Sequence, residues 1–125
     1  MKTVMKVIVG LPAVLFVVMG LRWLVDPGGI APEFGFVLGD GLGRSSQIGD
    51  FAAFFLTLGL CILMALVSSR RLWYYPPMML LLLAAIGRVL AWALHDAAFA
   101  GGMIAVEILV ATLLLAASRW LPERE

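Results

Sequence analysis

The sequence contains one cysteine, one histidine and few charged residues. Of its 125 residues only 14% are charged, and the formal net charge is +1. A single cysteine excludes a disulfide within the chain, and with one histidine it cannot form a Cys/His zinc site. Domains that bind nucleic acids normally present a basic surface, which a net charge of +1 does not supply. We therefore predict no metal, no cofactor and no nucleic-acid partner.

Apolar residues, by contrast, are abundant. They make up 63% of the sequence, and the mean hydropathy is +1.06. A soluble domain of this length has too little interior to bury so many apolar side chains, and it needs polar residues to cover its outside. The composition therefore indicates a protein that has lipid as its solvent.

Four apolar stretches are each close to the ~20 residues that an α-helix needs to cross a bilayer. None shows the period of two that a membrane β-barrel requires, and helices satisfy their own backbone groups in lipid. The sequence thus predicts an all-α fold, an integral membrane four-helix bundle that forms a single domain over residues 1–125. The predicted helices span about 4–25, 49–67, 77–95 and 102–120, and a glycine-rich outer loop spans 26–48.

Basic residues are distributed unevenly between the two ends of such a bundle. Lys2, Lys6, Arg70, Arg71, Arg119 and Arg124 fall on one side, and Arg22 and Arg44 on the other. Because cytoplasmic loops are enriched in lysine and arginine, both termini are predicted to be cytoplasmic. Tryptophan and tyrosine at helix ends are expected to lie at the membrane interfaces. These are Trp73, Tyr74, Tyr75 and Trp120 on the inner side and Trp23 on the outer side.

Two charged residues interrupt the last two apolar stretches, Arg88 in the third and Glu107 in the fourth. A charge near the bilayer centre costs about 2.5–3.5 kcal/mol on insertion scales, so it normally faces a partner or water. Consecutive antiparallel helices place both residues at a similar depth, and a carboxylate is a good acceptor for a guanidinium. The sequence therefore predicts an Arg88–Glu107 ion pair. It also predicts a polar cluster around the pair, in the outer half of the bundle, formed by Asp96, His95, Asp50, Arg22 and Asp26.

Two interpretations of this polar cluster stay open. The ion pair can be structural, fixing which helices pack together and in what register, or it can belong to a ligand-binding or catalytic site. Asp50, Asp26 and Asp96 lie near helix ends and can equally be solvated caps. A role for His95 as a haem or metal ligand would need a second strong ligand, which the sequence does not offer.

The outer loop contains an apolar segment, residues 30–38 (IAPEFGFVL). Its side chains can lie along the membrane interface, or the segment can fold back over the bundle as a lid. The apolar residues concerned are Phe34, Phe36, Val37 and Leu38. We expect interfacial packing for this segment.

Residues spread over most of the chain match the pattern of a known family. They are Gly20-Leu21 before Asp26-Pro27, Gly49, Gly59-Leu60, Gly87-Arg88, Asp96 and Glu107. On these residues the chain resembles the small bacterial four-helix membrane proteins grouped as domain of unknown function 4345, near the DoxX-like proteins. It departs from their pattern at Arg44, which is displaced, and at Asp50 and Ala97, where glycine is common. The resemblance implies a multi-pass protein of the bacterial cytoplasmic (inner) membrane in which Arg88, Asp96 and Glu107 matter, and it implies no particular activity.

Three functions from different classes fit these features, and the sequence does not decide whether the protein is an enzyme. We favour a small membrane subunit or accessory protein that packs against other membrane proteins or copies of itself, because small residues allow close helix approach. These are Ala84, Ala85, Gly87, Ala91, Ala105, Ala111, Ala116 and Ala117. The alternative is a binding protein or enzyme for a lipophilic small molecule, in which Arg88 holds an anionic or carbonyl group and Asp96 or Glu107 moves protons. A second alternative is an oligomeric transporter or channel that uses the polar cluster.

Overall fold

The computed structural model describes residues 2–123, and within that range it contains helices and no strands. The four long helices are α1 (Lys2–Val25), α2 (Gly41–Ser68), α3 (Tyr75–Leu94) and α4 (Gly101–Trp120). Short helical turns at Pro27–Ile30 and Ala31–Phe34 connect α1 to α2, and another at Arg71–Tyr74 precedes α3. The all-α prediction is confirmed, and each long helix has the length and apolar composition to cross a membrane.

One helix boundary differs clearly from the prediction. Helix α2 begins at Gly41 rather than near residue 49, whereas the other helix ends lie within two residues of their predicted positions. Side chains in the first turns of α2 bond back to the extended residues before it. Gln47 Nε2 donates to the carbonyl oxygen of Val37 at 3.2 Å, and Arg44 Nε donates to that of Gly39 at 2.8 Å. These bonds support a helical start that its glycines alone would disfavour.

Helices α1 and α2 form an antiparallel pair that packs along most of its length. Glycines allow the two backbones to approach closely at two levels. A Cβ atom added to Gly59 would lie 2.6 Å from the carbonyl oxygen of Ala13, and one added to Gly20 would lie 3.0 Å from the backbone nitrogen of Leu56. Small residues at helix interfaces serve this purpose in membrane proteins, where packing rather than hydrophobic exclusion holds helices together.

Helices α3 and α4 form the second pair, which contacts the first less extensively. The turn at Arg71–Tyr74 touches both α2 and α4 and joins the pairs at one end of the bundle. There the Arg71 backbone N–H donates to Glu123 Oε2 at 2.8 Å, and Lys6 lies beside the same residues. We call this the terminal end, because both ends of the described chain lie there, and we call the opposite end the cover end. Arg124 lies outside the described residues.

The cover end takes its name from residues 27–38, the cover segment, which fold back over α1 and α2. Gly35 adopts a left-handed conformation (φ 78°) that reverses the chain after the second helical turn. The rings of Phe34 and Phe36 then lie 6.2 and 6.3 Å from the ring of Trp23. The segment therefore packs on the bundle with Phe34 and Phe36 half-buried, and its expected position at the membrane interface stays a prediction. Val37, by contrast, is 90% exposed.

The same burial corrects part of the predicted aromatic belt. Trp23 is fully buried and stacks on Phe51 with 4.9 Å between ring centroids, so it is a core residue rather than an outer interfacial anchor. Tyr74 is also buried, whereas Trp120 at the terminal end is 70% exposed. An anchoring residue must reach the interface, so among these three only Trp120 fits that role.

Candidate functional site

The predicted contact between Arg88 of α3 and Glu107 of α4 is present. Arg88 Nε donates to both carboxylate oxygens of Glu107, at 3.0 and 3.1 Å. The Glu107 side chain is 9% exposed and that of Arg88 is 33% exposed. The other donors of Arg88, on Nη1 and Nη2, form no hydrogen bond with residues 2–123. The pair thus compensates its own charge and leaves guanidinium donors available to a further group.

Helical periodicity explains why these two residues meet. The buried face of α4 is Ile104, Glu107, Val110, Ala111, Leu114, Ala117 and Ser118, so Glu107 occupies a core position. On α3 the buried residues are Pro77, Leu81 and Ala85, and Arg88 continues their spacing of three or four. A carboxylate enclosed among aliphatic side chains needs a cationic partner, and the facing helix supplies one.

Two cavities, of about 360 and 320 Å³, lie between the helix pairs and meet at Arg88; together we call them the cleft. The larger cavity includes Phe16, Leu81, Met103, Val106 and Glu107 in its wall. The smaller includes Phe36, Asp50, Phe51 and Ala84. Both are lined by Phe34, Phe54, Phe55 and Arg88. Volumes of this size are typical of small-molecule sites, which are mostly apolar with a few placed polar groups.

The charges of the cover end are predominantly acidic. Its three arginines each pair with one carboxylate: Arg22 with Glu33 at 2.7 Å, Arg44 with Asp40 at 3.5 Å, and Arg88 with Glu107. The remaining carboxylates, Asp26, Asp50 and Asp96, form no ion pair within residues 2–123. Three arginines against six carboxylates give this end a formal charge of −3. Among the three unpaired carboxylates, only that of Asp50 borders the cleft.

The predicted polar cluster is therefore only partly assembled, since Arg88, Glu107 and Asp50 border the cleft and the others do not. Asp26 caps the turn after α1, its Oδ1 accepting from the Gly29 N–H at 3.2 Å. Asp96 has φ 57° and His95 is the exposed C-cap, so both serve to end α3. Arg22 bonds to the cover segment through Glu33 instead. These residues at helix ends interact with neighbouring residues or end the helix. Counting turns along a helix does not predict such local interactions.

The phenylalanines of the cleft were missed by the sequence interpretation. Phe51, Phe54 and Phe55 are spaced three and four residues apart, which places them on one face of α2. They meet the rings of the cover segment, with centroids 4.9 Å apart for Phe36 and Phe51 and 5.3 Å apart for Phe34 and Phe55. This spacing could have predicted, from the sequence alone, that the three phenylalanines share one face of α2.

Comparison with known proteins gives no assignment. The chain has no significant match among protein-family models, curated proteins or solved structures. The resemblance to domain of unknown function 4345 stays a prediction. Among the residues that the structure describes, no three histidine, cysteine or acidic side chains are grouped so that they could hold a metal ion. The chemistry of the cleft must therefore be argued from its aromatic, guanidinium and carboxylate groups.

Proposed function

We propose that the protein spans the bacterial inner membrane four times with both termini in the cytoplasm. The charge distribution supports this orientation. Lys2, Lys6, Arg70, Arg71 and Arg119 belong to helix ends and connections at the terminal end, whereas the cover end carries an excess of carboxylates. Short cytoplasmic loops are enriched in basic residues, so the terminal end faces the cytoplasm and the cover segment faces outward.

Reporter fusions test this topology. A reporter inserted after Arg71 and one placed at the C-terminus should both give cytoplasmic signals, because Arg71 and Leu121, shortly before the C-terminus, both lie at the terminal end. A reporter inserted at Gly41, the first residue of α2, should give an external signal. A cytoplasmic signal at Gly41 would be incompatible with four membrane crossings in this orientation.

We further propose that the protein binds a lipophilic molecule in the cleft and holds a hydrogen-bond acceptor of that molecule, such as a carbonyl, at Arg88. The observation that carries this proposal is the position and hydrogen bonding of Arg88. It lines both apolar cavities, and its Nη donors are unused within residues 2–123. Its charge is already compensated by Glu107, which favours an uncharged acceptor over a second anion. Arg88 and Glu107 are also two of the residues that carry the resemblance to domain of unknown function 4345.

This proposal replaces the subunit role as the preferred function. The subunit hypothesis relied on eight small residues that would face a partner. Gly87 and Ala105 are exposed, but Ala85, Ala111 and Ala117 are buried inside the chain. They are used to pack the bundle itself. Arg88 is one-third exposed at a cavity, so its guanidinium is accessible to a further group as well as to Glu107.

Photolabelling with a neutral long-chain ketone that carries a diazirine tests the proposal. We expect labelling of the cleft residues Phe16 and Phe54 to be saturable and to be suppressed by excess unlabelled ketone. Labelling of the lipid-facing Leu109, which is 68% exposed, should rise in proportion to ketone concentration. A specific site saturates, whereas partition into the bilayer does not.

Two glycine variants provide a matched comparison for this experiment. Gly102 lines the larger cavity and Gly87 does not, and a Cβ atom added to either meets no other atom within 4 Å. Gly102→Leu should reduce the saturable labelling by filling the cavity, whereas Gly87→Leu should leave it unchanged. Unsaturable labelling of Phe16 and Phe54 in the parent protein would overturn the proposed function and restore the subunit hypothesis.

A further inference from the structure

We propose that a groove between α1 and α4 at the terminal end holds one acyl chain of an anionic phospholipid, whose headgroup lies beside Lys2. The groove has a volume of about 320 Å³ and shares no lining residue with the cleft. This inference rests on the proposal that the protein spans a membrane, but it does not depend on a ligand in the cleft. It assigns a lipid-binding site to the end of the bundle opposite the cover segment.

The lining of the groove combines apolar walls with two side chains that suit a lipid headgroup. Its apolar walls are formed by Val4, Met5, Ile8, Leu113 and Leu121. Lys2 and Trp120 also line it, and they are the first residue of α1 and the last residue of α4. A lysine can lay its stem along an apolar surface while its ammonium group stays at the interface, and tryptophan prefers the level of the headgroups. The groove therefore matches a molecule with an apolar chain and a polar head.

The charges of the terminal end determine the sign of the headgroup. Within residues 2–123, five basic residues and one carboxylate give this end a formal charge of +4; they are Lys2, Lys6, Arg70, Arg71, Arg119 and Glu123. Glu123 pairs with Arg71 at 3.3 Å, and in the described chain no carboxylate lies within ion-pair distance of Lys2. Basic pockets between transmembrane helices bind anionic headgroups, and each nearby lysine or arginine strengthens the attraction.

Other occupants fit the groove less well. The described chain after Leu121 turns towards Arg71, whose backbone N–H donates to Glu123, so the tail up to Glu123 does not cover the groove. A second copy in the same orientation would bring its own positively charged end to this level, which like charges oppose. A free anion would gain one exposed ammonium contact and nothing from the apolar walls. A phospholipid uses both parts of the groove.

Photolabelling of the full chain in phosphatidylcholine nanodiscs tests this inference. Two trace lipid probes carry a diazirine in one acyl chain, and they differ only in having a phosphatidylglycerol or a phosphatidylcholine headgroup. The preference for the anionic probe should be about five-fold higher at Leu113, in the groove, than at Leu115, as expected for one nearby cation at a membrane surface. Leu115 is 41% exposed on the same helix and does not line the groove, so it measures the general enrichment of anionic lipid. Equal preferences at the two leucines would overturn the inference.

Lys2→Gln should lower the anionic preference at Leu113 to that at Leu115. Arg70→Gln is the matched control, because it removes a charge from the same end at a residue that does not line the groove, and it should leave the preference nearly unchanged. Equal losses in the two variants would overturn the inference, since they would reflect the general charge of the terminal end. Inorganic phosphate should not reduce the labelling more than sodium chloride of the same ionic strength. Competition by phosphate would show a site for the phosphate group alone and would overturn the assignment to a lipid.

Two tryptophan variants test the position of the acyl chain. Ile8 lines the groove and the adjacent Val7 does not, and their side chains are 47% and 56% exposed. Ile8→Trp should fill the groove and reduce labelling of Leu113 by both probes, whereas Val7→Trp should leave it unchanged. Equal labelling of Leu113 in these two variants would place the acyl chain outside the groove and contradict the inference.

Ketone photolabelling separates this inference from the proposed function of the cleft. Lys2→Gln and Ile8→Trp should retain saturable ketone labelling of Phe16 and Phe54, which shows that both variants are folded. If the anionic preference at Leu113 is present while saturable ketone labelling is absent, only the cleft ligand is rejected, and the converse result rejects only the lipid site. Both leaflets of the nanodisc have the same composition, so the result does not depend on which end of the protein faces the cytoplasm.

Discussion

Arg88→Leu is expected to lower the free energy of unfolding by about 3–5 kcal/mol, because it leaves Glu107 enclosed in the bundle without its cationic partner. Glu107→Leu should cost less, about 1–3 kcal/mol, since the Arg88 that remains can turn towards the cleft and find water there. The exposed fractions of the two side chains, 33% for Arg88 and 9% for Glu107, predict this asymmetry. The double variant should recover all but about 1 kcal/mol, because a well-packed apolar pair carries no desolvation penalty. Unfolding by SDS in mixed detergent micelles measures all three quantities.

An exposed ion pair of the same end serves as the control for these variants. Arg44 and Asp40 are 3.5 Å apart with side chains 52% and 102% exposed, so Asp40→Asn, which keeps the bond from Arg44 to the Gly39 carbonyl oxygen, should have little effect on unfolding. Additive losses in the Arg88 and Glu107 variants would show that the two side chains are not energetically coupled. The double variant should also lose saturable ketone labelling. Loss of labelling in a variant of nearly normal stability would show that the ion pair is needed for binding and not only for folding.

Gly59→Ala should weaken the packing of α1 against α2 and lower the free energy of unfolding by about 1–3 kcal/mol. The added methyl group would lie 2.6 Å from the carbonyl oxygen of Ala13 and 2.8 Å from the backbone nitrogen of Val17. Both are backbone atoms and cannot rotate away, so the helices must separate. The resulting loss of stability should be measurable by SDS unfolding and as a reduced yield of folded protein after solubilisation.

Gly49→Ala is the matched variant on the same helix. An added Cβ atom at this position meets no other atom within 4 Å, so any loss of stability should stay below about 0.5 kcal/mol. Alanine has a higher helix propensity than glycine, which acts in the opposite direction to any loss. Equal destabilisation by Gly49→Ala and Gly59→Ala would contradict this prediction. It would show that Gly59 does not stabilise the protein by allowing close contact between α1 and α2.

The parts of the fold that the sequence predicted correctly depend on periodicity and length. Four apolar stretches gave four long helices, and counting turns from helix ends brought Arg88 of α3 to Glu107 of α4. Both inferences use properties of a single helix or of two consecutive helices. The start of α2 at Gly41 was not predictable in this way. Its first turns contain three glycines, and its support comes from bonds between Gln47 or Arg44 and residues that precede the helix.

The cover segment shows where a one-dimensional pattern is insufficient. Phe34 and Phe36 have the same apolar character whether they meet lipid or the rings of Trp23 and Phe51. What decides between these environments is the reversal of the chain at Gly35 and the position of rings on another helix. The same limit applies to Arg22, which was expected to join Arg88 but bonds to Glu33 across the turn at the end of α1.

The placement of the cleft between two helix pairs determines from which side the proposed ligand would enter. Phe34 of the cover segment lies in the wall of the larger cavity at the cover end, and the buried Leu58 and Leu81 lie in its wall as well. Val106, 54% exposed in the wall of the larger cavity, faces the surroundings of the bundle, which are acyl chains in the proposed orientation. Occupancy by the proposed ligand would therefore depend on its mole fraction in the bilayer. A dissociation constant expressed against total aqueous concentration should change with the amount of lipid in the assay, whereas the constant expressed as a mole fraction in lipid should not.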